Sequence, residues 1–252
     1  MTTNQYSPGQ RYKALTVLFL VGLANYVDRV TFHVLQVPIK QTFQLSDTQL
    51  GILTGAAFSI PHLLVTLPAG RLADRVSRKW VLMIALTIWA SMTVGLGLAG
   101  TFAALIVLRM GVAIGEAFCV PASHSLITDY FPRTERARAM AILTLSLSLG
   151  SMIGLSAGGI FSERVGWRVT CFIVGGVSLA VVPVIWFFLR EPDRIDASGR
   201  IANVAPPPLG ASLAILWRIK SLRFVALGGR YSPSPPLPCC TGARRSMAGR
   251  TD

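Results

Sequence analysis

Acidic side chains are scarce in this sequence: 11 Asp and Glu stand against 24 Lys and Arg, and charged residues of either sign fill only 14% of its 252 positions. With 52% hydrophobic residues, the chain lacks the polar surface of an ordinary soluble domain. Cysteine is also rare. Cys119 and Cys171 fall in apolar stretches and Cys239 and Cys240 are adjacent, a spacing that excludes a disulfide framework and a zinc site. The histidines, His33, His62 and His124, are too scattered for a metal centre. Each reads as a hydrogen-bonded packing residue near the end of an apolar segment, with proton relay as the alternative. No nucleophile elbow, phosphate-binding loop or catalytic pair of carboxylates is present. The sequence therefore carries no enzyme signature and implies no cofactor.

What it has is long apolar runs. Stretches of the length a helix needs to cross a bilayer occur at roughly 14–37, 49–69, 80–99, 102–122, 137–160 and 169–189. They predict an all-α polytopic membrane protein with six transmembrane helices. The net charge of +13 would suggest nucleic acid if it formed a stripe, but the basic residues fall in alternate loops. With the N-terminus placed in the cytoplasm, the inner segments hold Arg11, Lys13, Arg71, Arg75, Arg78, Lys79, Arg133, Arg136 and Arg138, and the outer loops hold Lys40, Arg164 and Arg168. The positive-inside rule then orients both ends to the cytoplasm, as expected for a multi-pass protein of the cell inner (plasma) membrane. This asymmetry accounts for the basicity without a nucleic-acid partner. The first run follows Arg11 and Lys13 as a secretory signal would, but no small-residue cleavage pattern comes after it, so it reads as a retained anchor.

Residues 1–12 read as a polar cytoplasmic tail, 13–190 as the six-helix domain and 191–220 as a cytoplasmic linker rich in Pro, Gly and charge. Residues 221–252 read as an aborted seventh helix and an irregular tail, because "RYSPSPPLPCCTGARRSMAGRTD" cannot remain in hydrocarbon. The expectation is that the sequence from about Gly228 departs from the original design, through a frame shift or truncation. An internal repeat supports the domain reading. "GRLADRVS" at Gly70–Ser77 recurs as "GIFSERVG" at Gly159–Gly166. The first copy ends the second span on the inside and the second ends the fifth span on the outside, which predicts two inverted three-helix units.

The segment "GRLADRVSRKW" places a glycine, an acid and a basic cluster at the inner mouth of the second span. It resembles the loop signature between the second and third helices of the major facilitator superfamily, with Ser77 where the family usually has glycine. The resemblance implies half of a facilitator fold and a cytoplasmic gate built from Gly70, Asp74, Arg75 and Arg78. In that gate Asp74 would contact a helix of a second six-helix half, whereas Lys79 reads as a topogenic, solvated charge. "RTERARAM" and "GSMIGLSAGG" resemble the family's segments at the start of and within its fifth helix. Leu155 stands where many coupled exchangers carry proline, which counts against carrying antiport over. Gly150, Gly154 and Gly158 also suit close helix packing.

Two spans carry charges. In "NYVDRVTFHVLQ" Asp28 and Arg29 lie within the first span, and in "RMGVAIGEAF" Arg109 and Glu116 leave the same face of the fourth. At 1.5 Å per residue, Asp28 lies about 22 Å above the inner boundary and Arg109 roughly 10 Å below the outer one. In a core about 30 Å thick these depths nearly coincide, so Asp28 and Arg109 are expected to neutralise each other. Left alone, each costs at least about 2.5 kcal/mol at mid-bilayer. A carboxylate with a movable cationic partner can trade that partner for a proton, because an uncompensated anion in a poorly hydrated cavity is more stable neutral. A static ion pair that merely fixes packing is the alternative. Glu116 is a second candidate proton or cation site.

Together "NYVDR" and "RMGVAIGEA" narrow the resemblance to the spinster-like branch. It implies that Asp28, Arg109 and Glu116 are coupling and substrate-path residues, and that Asn25, Tyr26 and Arg29 belong to the first-helix motif. The expected function is secondary transport, by alternating access and coupled to protons, of a small amphipathic or anionic solute. Its partners would be the lipid bilayer, the solute, protons and a second six-helix half. The alternative is a truncated, non-transporting half that only packs with another subunit.

Overall fold

The computed structural model describes residues 6–192, with the backbone alone at Leu67, Ala73, Asp74 and Arg75. The expected final segment, and the linker beyond residue 192, lie outside the described residues. Helices account for nearly all of the rest: α1 (Pro8–Val34), α2 (Gln36–Phe43), α3 (Asp47–Gly51), a π-helical turn (Ile52–Ala56), α4 (Ala57–Arg75), α5 (Arg78–Leu98), α6 (Phe102–Ala117), α7 (Cys119–Tyr130), α8 (Arg133–Val165) and α9 (Trp167–Phe188). They make six spans long and apolar enough to cross a membrane, of which the second joins α3 to α4 and the fourth joins α6 to α7.

Local chemistry sets the boundaries. Ser7 accepts a hydrogen bond from the Gln10 amide while the Gln10 side chain accepts one from the Ser7 amide, and Pro8 fills the first helical position. This reciprocal cap starts α1 at Pro8, so residues 8–12, expected to be a polar tail, are helical. The same Ser-x-x-Gln pattern starts α3 at Ser46 and Gln49. Between them Gln44 ends α2 in the left-handed region at φ 51°. Prolines explain the interruptions, since each lacks the amide that the carbonyl four residues back requires. Pro61 leaves the Ala57 carbonyl unserved directly after the π turn, and Pro121 does the same to Ala117, where α6 ends.

The packing follows an inverted repeat. The first span packs along the fifth (α1 on α8), and its counterpart is the fourth against the second (α6 on α4). The third packs on the sixth (α5 on α9), a pair that maps onto itself. The third on the fourth (α5 on α6) answers the sixth on the first (α9 on α1). Two interlocked three-helix units produce this set of contacts. Gly150, Gly154 and Gly158 line the α8 face against α1. A Cβ at Gly154 would stand 2.8 Å from the Val27 carbonyl oxygen, and Thr31 donates to the Gly154 carbonyl at 3.2 Å. The close-packing expectation for these glycines holds. Gly70 differs, because a Cβ there meets no atom within 4 Å among the described residues.

Candidate functional site

The intramembrane charges gather in one cluster between α1, α4, α5 and α6. The Arg29 guanidinium reaches one oxygen of Glu116 through Nη2 at 2.5 Å and Nε at 3.0 Å. The Glu116 side chain is fully buried and that of Arg29 is 25% exposed. Asp28, also buried, accepts a hydrogen bond from the Thr93 hydroxyl of α5 at 2.8 Å. Arg109 takes neither role. Its guanidinium carbon lies 3.8 Å from the Phe32 ring centroid and 4.5 Å from that of Phe58, and its three nitrogens find no hydrogen-bond partner among the described residues.

The expected direct pairing of Asp28 with Arg109 is therefore corrected: the ion pair is Arg29 with Glu116. All four charges share one cluster, but neighbouring residues on a helix leave it about 100° apart. Asp28 consequently turns to α5 while Arg29 turns to α6. Arg29 also lies over two rings, 4.9 Å from Phe58 and 5.3 Å from Tyr26. Phe58 thus carries a guanidinium on each account, Arg29 and Arg109, and cations against ring faces recover part of the attraction lost on leaving water. His62 stacks on Phe58 and its Nδ1 lies 3.2 Å from the Ala113 carbonyl, the packing role expected of it. Asn25 is buried, and its Nδ2, like Glu116 Oε1, finds no hydrogen-bond partner among the described residues.

Chemically, this is a neutral set of two acids and two bases with spare capacity. Arg109 offers a planar fork of donors able to grip a carboxylate, sulfonate or phosphate at two points. Such a ligand would meet aromatic walls on either side. Phe32, Phe58 and Thr93 were not foreseen from the sequence. The signals were spacing alone: Phe32 follows Asp28 by one helical turn, and Phe58 precedes His62 by another.

At the opposite end of α5 lies the expected gate segment. The side chains of Asp74 and Arg75 lie outside the described residues. Arg78 is 2% exposed; it bonds Asp129, donates to Ser125 at 2.9 Å and reaches Glu191 at 3.1 Å. Glu191 in turn accepts from the backbone amides of Arg78 and Lys79 and from the Ser77 hydroxyl. An acid thus closes the N-terminus of α5, where the helix dipole favours negative charge. Burial pushes the Glu191 carboxyl up, but the Lys79 and Arg78 amides, the Ser77 hydroxyl and the Arg78 charge outweigh it and hold it below its ordinary value. Lys79 is not simply solvated: its Nζ donates to the Trp186 carbonyl at 2.7 Å. Asp129 escaped notice because the fourth span was expected to end near 122, whereas α7 continues to Tyr130.

The model of the Major Facilitator Superfamily matches residues 18–232. An MFS-type efflux pump of Mycolicibacterium smegmatis is 36% identical over 200 residues, 79% of this chain and 47% of the pump. A probable sulfoacetate transporter of Cupriavidus necator is 31% identical over 185 residues, 73% of this chain and 43% of that protein. The crystal structure of a bacterial homolog to the human lysosomal transporter Spinster, inward-facing and unoccupied, superposes with a TM-score of 0.71 at 31% identity, covering 88% of this chain and 50% of its own. The chain spans about half the length of the curated relatives it matches. By its family match and its likeness to the spinster homolog, this chain belongs to the Major Facilitator Superfamily and is spinster-like.

Proposed function

We propose that these six helices are the N-terminal half of a secondary transporter that moves a small amphipathic or anionic solute by alternating access, coupled to protons. One observation carries the reading: Arg109 is a buried cation whose nitrogens find no hydrogen-bond partner among the described residues, beside the Asp28 carboxylate and the Arg29–Glu116 ion pair. A charge with unused donors in a membrane interior is costly, and an arriving anion would relieve that cost. The relative named a probable sulfoacetate transporter agrees with an anionic solute.

In this scheme Asp28 is the coupling carboxylate. Solute engaging Arg109 would withdraw positive charge from Asp28, which then takes a proton. Arg29 and Glu116 would open and re-form around Phe58 as the halves rock, with Asn25 and Tyr26 lining the path. Gly70, Asp74, Arg75 and Arg78 would form the gate against a second six-helix half, whose approach the empty space at Gly70 favours. Both ends would be cytoplasmic, in the cell inner membrane, as the loop charges direct. The test is uptake by the full-length protein in proteoliposomes under an imposed pH gradient. Asp28→Asn is expected to abolish gradient-driven accumulation while leaving solute exchange; undiminished proton-driven uptake would sink the coupling role.

A further inference from the structure

A cavity of about 200 Å³ lies away from the charge cluster, where the start of α1 meets the ends of α7 and α9. Lys13 and Arg190 line it, and neither side chain has an ion pair or hydrogen bond among the described residues. The nearby cation Arg11 is already committed, to Glu135 at 2.9 Å. Gln10 gives its carbonyl oxygen to the helix cap at Ser7, which leaves its amide nitrogen for another acceptor. The Tyr130 ring forms one wall, held by its hydroxyl bond to the Arg190 carbonyl and by the Tyr6 ring at 5.1 Å. The other wall is Phe187 and Phe188, 76% and 57% exposed at the last turn of an apolar span.

From this arrangement we propose that the cavity binds the headgroup of an anionic phospholipid, with the phosphate between Lys13 and Arg190 and the acyl chains over Phe187 and Phe188. Two cations that pair with no acid among the described residues, a spare amide donor and exposed aromatic rings meet at the boundary between a span and water. That is where a lipid phosphate lies and where basic pockets between helices hold headgroups. A free phosphate would satisfy the cations equally but leave the two phenylalanines without a role. The lipid would tie the first and sixth spans, the outer members of the two inverted units, at one membrane face. The inference needs only that the chain spans a bilayer, and stands apart from the solute and coupling proposed above.

Native mass spectrometry of the 252-residue chain, released from micelles containing equal dioleoylphosphatidylglycerol and dioleoylphosphatidylcholine, tests it. The anionic lipid is expected to be retained on the order of tenfold better, from the attraction of two cations near the membrane surface. Lys13→Gln with Arg190→Gln should remove that preference, and Lys13→Arg with Arg190→Lys should keep it. Arg133→Gln, an exposed cation elsewhere on α8, should also keep it. Equal retention of the lipids by the unaltered chain overturns the proposal. So does a loss in Arg133→Gln as large as in the double variant, which would mean diffuse surface charge. Complete displacement of the anionic lipid by millimolar inorganic phosphate would likewise overturn it, in favour of a soluble anion.

Discussion

Arg29 and Glu116 come from different spans and share one carboxylate oxygen, at 2.5 and 3.0 Å, inside the helix bundle. The pair is unequal, because the acid is fully enclosed and the base is 25% exposed with aromatic faces as alternative company. Removing the base strands a buried anion, whereas removing the acid leaves a cation with somewhere to go. Arg29→Gln should therefore destabilise by about 3–5 kcal/mol, and Glu116→Gln by clearly less. Thermal unfolding of both variants in one detergent checks the order; the reverse order would contradict the geometry.

Arg109 is held by stacking, which requires a flat cation. Arg109→Lys keeps the charge and loses the plane, so uptake by the full-length protein should fall roughly tenfold or more, the scale of a desolvated cation–ring contact. Initial rates in proteoliposomes measure it. Rates near those of the unaltered protein would show that charge alone is needed.

The glycines of α8 divide by what a methyl group would meet. Gly154→Ala drives a Cβ to 2.8 Å from the Val27 carbonyl, and backbone cannot yield there cheaply. A loss of about 1–3 kcal/mol is expected as α1 and α8 are forced apart. Gly159→Ala meets nothing within 4 Å and should gain about 0.5–1 kcal/mol from lower chain entropy before folding. Melting temperatures moving in opposite directions would bear this out.

Glu191 makes stability depend on acid. Because its folded carboxyl lies below the ordinary 4.5, its contribution is complete above that value and disappears as pH falls through the folded one. The unaltered chain should therefore lose its melting-temperature advantage over Glu191→Gln on titration from pH about 6 down to about 3. An advantage that stays constant across that range would show that the carboxylate does not anchor the start of α5.

Much of the architecture could be read in advance because its causes are local. Apolar length marks the spans, and four-residue glycine spacing marks the α1–α8 seam. Reading failed where polar residues were taken as the end of a span. Ser125 and Asp129 lower the hydropathy after residue 122, yet they lie within α7 and bind Arg78 from the preceding span. Glu191 sits in a segment whose composition reads as linker, but it closes a helix more than a hundred positions earlier.

By itself the sequence determined how many spans the described residues form and how far apart along each span the charges lie. Those quantities follow from residue counts along a helix with a constant rise. It did not determine which charge meets which, since that depends on how each helix is turned about its axis and how its neighbours cross it. Only the packed bundle set those rotations, sending Asp28 to Thr93, Arg29 to Glu116 and Arg109 to two aromatic rings.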